Sequence, residues 1–192
     1  MKRCKRSGFS LIEVLVSILV LALGVIGAAA MQLTALRTTQ QSALQSTALQ
    51  LASEMADKIR ANDSQMAQPD LNNLFLAVDY RAAADAAPDP PAKLCYANAC
   101  NGEELARFAI YEWEQRIRSE LPGGRARICR DATPWDSAKG ALSWACSDGA
   151  GTDGSLVIKL GWQARNLDGD QAGVTDRKFA PMIALTVAPY IK

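Results

Sequence analysis

The sequence predicts an α+β protein in which a long N-terminal helix packs against a small antiparallel sheet. Three observations carry that expectation. Residues Phe9 to Met31 form an almost wholly aliphatic run; the three- and four-residue apolar spacing then continues, with no Pro or Gly between residues 28 and 61; and beyond Gly124 the apolar period changes to two. These divide the chain into a basic leader at 1–8, a long helix at 9–62 whose membrane-spanning part covers about 9–31, and an α+β head at 63–192.

The first element begins after Lys2, Arg3, Lys5 and Arg6, which precede Gly8 with no acid among them. From Val14 to Leu36 the chain carries no charge. At about 1.5 Å per residue, a helix of that length spans the roughly 30 Å hydrocarbon core of a bilayer. The basic leader predicts a cytoplasmic N-terminus by the positive-inside rule, so that everything after the span is exported. A secretory signal peptide is the competing reading, because Ala28-Ala29-Ala30 before Met31 has the composition of a cleavage site. Against it stand the length of the run and Glu13, an acid inside it, where a charge at mid-span costs about 2.5–3.5 kcal/mol. A plain single-pass anchor with Glu13 near the interface is a further reading.

Helical spacing does not stop at the membrane edge. Leu33, Leu36, Leu44, Ala48, Leu51, Met55 and Ile59 recur on one face, Glu54 and Lys58 form an i,i+4 pair of favourable orientation, and Asn62 reads as the stop. Such a helix would be about 80 Å long, more than an anchor needs. Its outer half requires a cover.

The head opens loosely, with a run from Arg81 to Pro91 of Ala, Asp and Pro that reads as a surface loop. Glu103 to Leu121 is a second helix, with Leu105, Ala109, Trp113, Ile117 and Leu121 at successive fours and Phe108 beside them. Asn101 and Glu104 have capping-box spacing, and Pro122-Gly123-Gly124 ends the element. Four short strands follow, around Ala126 and Ile128, around Leu142, Trp144 and Cys146, from Leu156 to Trp162, and from Ile183 to Val187. Their short connections predict antiparallel pairing. The helical stripe from Leu44 to Ile59 offers the sheet its cover, giving an α+β roll.

Composition narrows the chemistry. The chain has no His, which removes the usual general base, the usual zinc ligand and every Ser-His-Asp or Cys-His arrangement. No Gly-rich phosphate loop or nucleophile elbow stands out, so the expectation is a non-enzyme without cofactor or metal. The formal net charge of +1 argues against a general nucleic-acid binder. A chain starting at Phe9 keeps 17 of its 21 basic residues against 20 acidic ones. Asn166, Asp168 and Asp170 hint at a calcium loop, but Gln171 and Arg177 occupy the positions where that loop needs Gly and a bidentate acid, so an Asp-Gly hairpin turn is expected. Arg116, Arg118, Arg125, Arg127 and Arg130 cluster in sequence and are read as a solvated helix and strand face rather than a phosphate-binding patch. Cys95, Cys100, Cys129 and Cys146 form an even set beyond the hydrophobic segment, as in an oxidising compartment. Three pairings are possible. Local pairing, Cys95 with Cys100 and Cys129 with Cys146, is preferred, the second bridge tying the first of these strands to the next.

Gly8-Phe9-Ser10-Leu11-Ile12-Glu13 after a short basic leader resembles the class III signal of type IV pilins and type II secretion pseudopilins. The later stretch ALRTTQQSALQSTALQLASEMADKIRAN, with LPGG before a short strand, is similar to the PilV type of minor pilin. The resemblance implies cleavage by a prepilin peptidase between Gly8 and Phe9 and N-methylation of the Phe9 amine. Glu13 lies one helical turn from that amine, and pairing with the amine of a neighbouring subunit, which sets register in subunit assembly, is preferred over pairing with its own. It implies as partners the inner membrane, other minor pilins, the major pilin and a large tip adhesin. The head would be periplasmic until the subunit enters the surface fibre. A pseudopilin of a type II secretion system shares the same N-terminal physics, and a tip module binding host surfaces or DNA is a further alternative. Where major pilins usually carry a proline in the membrane segment this chain has Ala30, with Gly24 and Gly27 nearby.

Overall fold

The computed structural model describes residues 10–146, 154–163 and 180–187, and the chain divides into two compact units, Met1–Ala43 and Leu44–Lys192. Helix α1 (Leu11–Arg60) supplies residues to both.

In the first unit every residue of α1 is exposed, including Leu11, Leu21, Ile26 and Met31. In water so continuous an apolar surface is unstable, and it fits a helix covered by lipid or by other helices. By length and composition α1 can cross a membrane.

The second unit holds the core. From Leu44 onward α1 becomes one-sided, burying Ala48, Leu51, Ala52, Met55, Ala56 and Ile59 at the expected three- and four-residue steps. Asn62 is the stop, and it is almost fully buried. Its side-chain Oδ1 accepts from the Gln65 N–H (3.3 Å) to cap a single turn, α2 (Asp63–Met66), while its Nδ2 donates to Gly102 O at 2.7 Å. Two 3₁₀ turns, Asp70–Asn72 and Leu74–Ala77, bring Phe75 into the core and lead to β1 (Asp79–Arg81).

Helix α3 (Gly102–Glu120) starts with the anticipated capping box: Asn101 Oδ1 accepts from Glu104 N–H and Glu104 Oε2 from Asn101 N–H, each at 2.9 Å. Its buried stripe is Ala106, Ala109, Trp113 and Ile117, whereas Leu105, placed on that face by its sequence spacing, is 43% exposed. A row of strict fours advances 400° per step and slews around the helix, so its early member rotates off the core. Trp113 joins α3 to α1 by donating its indole N–H to Leu51 O at 2.8 Å.

The main sheet has order β1-β2-β5-β6, all antiparallel, with β2 at Arg125–Arg130, β5 at Leu156–Gly161 and β6 at Ile183–Val187. It differs from the expected strand set in two places. The three-residue β1 is too short to show a period, and residues 142–146 are not a strand of this sheet. Only Ala141–Leu142 (β4) is paired, with Trp135–Asp136 (β3), in a separate two-stranded ribbon. The alternation of Leu142, Trp144 and Cys146 has another cause. This stretch is fixed to the main sheet by side chains, not by a ladder: Arg127 donates to Trp144 O (3.1 Å), Arg125 lies over the Trp144 ring (4.4 Å to the centroid), and Cys146 is bonded to Cys129.

That cover explains why every residue of β5 is buried. Leu156, Ile158 and Leu160 belong to the helix-packed core with Ala126 and Ile128, while Val157 and Lys159 alternate to the other face, opposite Cys129 and Arg127. Lys159 sits there at 0% exposure. Its ammonium donates to Asp131 Oδ2 (2.5 Å), Ser143 O (2.8 Å) and Ala145 O (2.5 Å), one acceptor for each proton.

Candidate assembly segment and head surface

Glu13, the residue assigned to subunit assembly, lies at the start of α1. Gly8 and Phe9 fall outside the described residues. Glu13 is exposed in the first turn, where the unpaired N–H groups of a helix favour an acid. Among the described residues no cation lies within ion-pair distance of its carboxylate. It is also the only acid between Ser10 and Ser53. The segment hides its own polar groups: Ser17 Oγ donates to Glu13 O (2.6 Å), and Thr34, Thr38 and Thr39 donate to the carbonyls four residues back at 2.9–3.1 Å. Such back-bonding satisfies hydroxyls where water is absent. Between Leu11 and Met31, what remains outward is apolar side chain and one carboxylate.

The head is braced by covalent and ionic links. Cys95–Cys100 and Cys129–Cys146 are paired, with Cα separations of 5.9 and 6.2 Å. Burial alone would raise the Glu54 carboxyl, but hydrogen bonds from Arg116 and Lys58 hold it below the usual carboxylate range. Through Arg116, Glu54 of α1 is thus tied to α3.

The five clustered arginines are not a free basic face. Arg116 is engaged by Glu54 and Glu120, Arg118 by the Tyr80 hydroxyl and the carbonyls of Ala82 and Asp85, Arg125 and Arg127 by Asp79, and Arg130 by Asp70 and Gly154 O. Arg116 ties α3 to α1, Arg118 ties α3 to residues 80–85, Arg125 and Arg127 link β2 to β1, and Arg130 links β2 to the first 3₁₀ turn. The Asn166, Asp168 and Asp170 turn, with Gln171 and Arg177, lies outside the described residues.

Sequence reasoning missed two features of the head. One is the buried Lys159–Asp131 pair, since a lysine in an alternating strand reads as solvent-facing. The other is a groove of about 530 Å³ between α3, the second 3₁₀ turn and the Pro88–Pro91 loop, whose parts are distant in sequence.

An exposed apolar helix bearing one acid, followed by an α+β head with a four-stranded antiparallel sheet, defines a pilin-like fold. Residues 3–29 match the family model of the prokaryotic N-terminal methylation motif, and residues 30–111 match that of the type IV pilin Tt1218. No significant match was found among curated proteins or solved structures. The two family matches meet at residues 29 and 30, so the chain is similar to a methylation motif followed by type IV pilin sequence.

Proposed function

We propose that this chain is a minor pilin of a type IV pilus, of the PilV type, which joins other minor pilins in an inner-membrane complex that primes fibre assembly. Prepilin peptidase cuts between Gly8 and Phe9 and methylates the new amine. The span then holds the head on the periplasmic side until the subunit enters the fibre beside the major pilin. The part played by the chain is structural: it positions neighbours and turns over no substrate.

The observation that carries this reading is Glu13 within α1's exposed apolar surface. A lone carboxylate in a bilayer is costly, and it is retained where a partner neutralises it. Cleavage after Gly8 creates a cation one helical turn away, on Phe9. Glu13 of one subunit accepts that amine from its neighbour, so a subunit stacked in register removes a penalty that one out of register keeps. Ion pairing in a low-dielectric medium is strong, and a subunit out of register leaves both charges unpaired there, which makes the pair a register device.

Deleting the gene tests the assignment to the pilus. The expected result is loss of surface fibres with protein secretion intact and restoration by the wild-type gene; intact fibres with a secretion defect would place the chain among type II pseudopilins instead.

A further inference from the structure

The groove in the head is walled by Leu74, Pro88, Pro91, Ile110 and Tyr111, with Glu114 at its α3 side and Asp89 at its loop side. The walls are apolar, yet neither carboxylate has a hydrogen bond or ion pair among the described residues. Every nearby cation is committed elsewhere. Arg107, on the groove lining, is held by Glu103 at 2.9 Å, and Arg118, one turn beyond Glu114, is turned to Tyr80, Ala82 and Asp85. Asp85 adds negative charge, its carboxylate being bound by Arg81. Among the described residues, Glu114 and Asp89 thus share one groove with no counter-ion of their own.

We propose that the groove receives an arginine or lysine side chain from another protein chain, its methylenes lying along the Leu74, Pro88, Pro91 and Ile110 walls and its cation meeting Glu114 and Asp89. The apolar walls and the two carboxylates select the same occupant. Basic side chains carry a long apolar stem under a charged head and bury the stem while pairing the head. The Tyr111 ring suits a guanidinium or ammonium further. An acidic or purely aliphatic side chain satisfies only one half of the lining. This inference does not depend on the pilus reading, since it concerns the head alone.

Glu114 makes the occupancy sensitive to pH. Burial, and then the Asp85 charge, push its carboxyl up to about 7 in the empty groove. A bound cation favours the ionised form, so binding releases a proton near neutrality and tightens as pH rises from 6 to 8.

The test uses the full-length chain in nonionic detergent, titrated with acetyl-Gly-Arg-Gly-amide and with its uncharged citrulline counterpart, and read by methyl NMR shifts of Ile110 and Leu74. The arginine peptide should shift these methyls and bind about tenfold more tightly than the citrulline peptide, the loss expected for one charge-assisted contact. Glu114→Gln should weaken the arginine peptide by a similar factor and abolish the pH dependence. Equal binding of arginine and citrulline peptides overturns the proposal without recourse to any variant. So does an unchanged affinity and pH profile in Glu114→Gln.

Discussion

Lys159 and Asp131 form an ion pair with both side chains withdrawn from solvent, at 0% and 2% exposure and 2.5 Å apart. The pair fixes the 131–146 segment over the outer face of the sheet, because the same ammonium also binds Ser143 O and Ala145 O. Removing one partner strands a buried charge. Asp131→Ala is expected to lower the unfolding free energy by about 3–5 kcal/mol in denaturant titrations. A Lys159→Met/Asp131→Leu double variant should lose clearly less than the two single losses added together.

The two disulfides should differ in worth. Cys129–Cys146 closes the longer loop, with a sequence separation of 17 against 5 for Cys95–Cys100. By loop entropy the first contributes about 3 kcal/mol and the second about 2 kcal/mol. Ser substitutions at each pair, compared by thermal unfolding, should reproduce that order. Reduction of Cys129–Cys146 should also loosen the Trp144 contacts with Arg125 and Arg127, visible as a change in tryptophan fluorescence.

Glu114 gives the head a pH-dependent stability of known sign. Its folded value of about 7 lies above the ordinary 4.5, so the folded state holds the proton over that window while the unfolded chain has released it. The contribution is fully present below about pH 4.5 and is lost as pH rises to about 7. Glu114→Gln should therefore stabilise the protein at pH 8 by about 1 kcal/mol, solvent screening at this half-buried position having reduced the effect, and leave it unchanged near pH 4.

Glu13→Gln separates assembly from folding. The residue is exposed and contributes nothing to the core, so the thermal stability of the head should not move. Incorporation into fibres, measured by immunoblot of sheared pili, should fall at least about tenfold if pairing with a neighbouring amine supplies the register. Unchanged incorporation would assign register to packing alone.

The parts of the fold legible in the sequence are those where one local signal decides. The stripe from Ala48 to Ile59 and the Asn101–Glu104 capping box follow from helical period and cap chemistry, and the structure has both. The disulfide partners lie near one another along the chain, so short-range pairing was the economical choice. What stayed hidden depends on a second layer. Lys159 looks solvent-facing until the 131–146 segment is seen to cover it, and Trp144 looks like a strand residue until Arg125 and Arg127 are seen to hold it. The groove was invisible because Leu74, Pro88 and Glu114 meet only in three dimensions. Leu105 shows the opposite error, where the period was read too rigidly.

The proposed subunit loses residues 1–8 and keeps the apolar segment from Phe9 onward in its mature form. Intact-mass and N-terminal peptide analysis of the chain purified from membranes and from fibres tests it most directly. A chain starting at N-methylated Phe9 is expected in both fractions. A mature chain starting at Met31, or an uncut chain still carrying Lys2 to Gly8 in fibres, would contradict it.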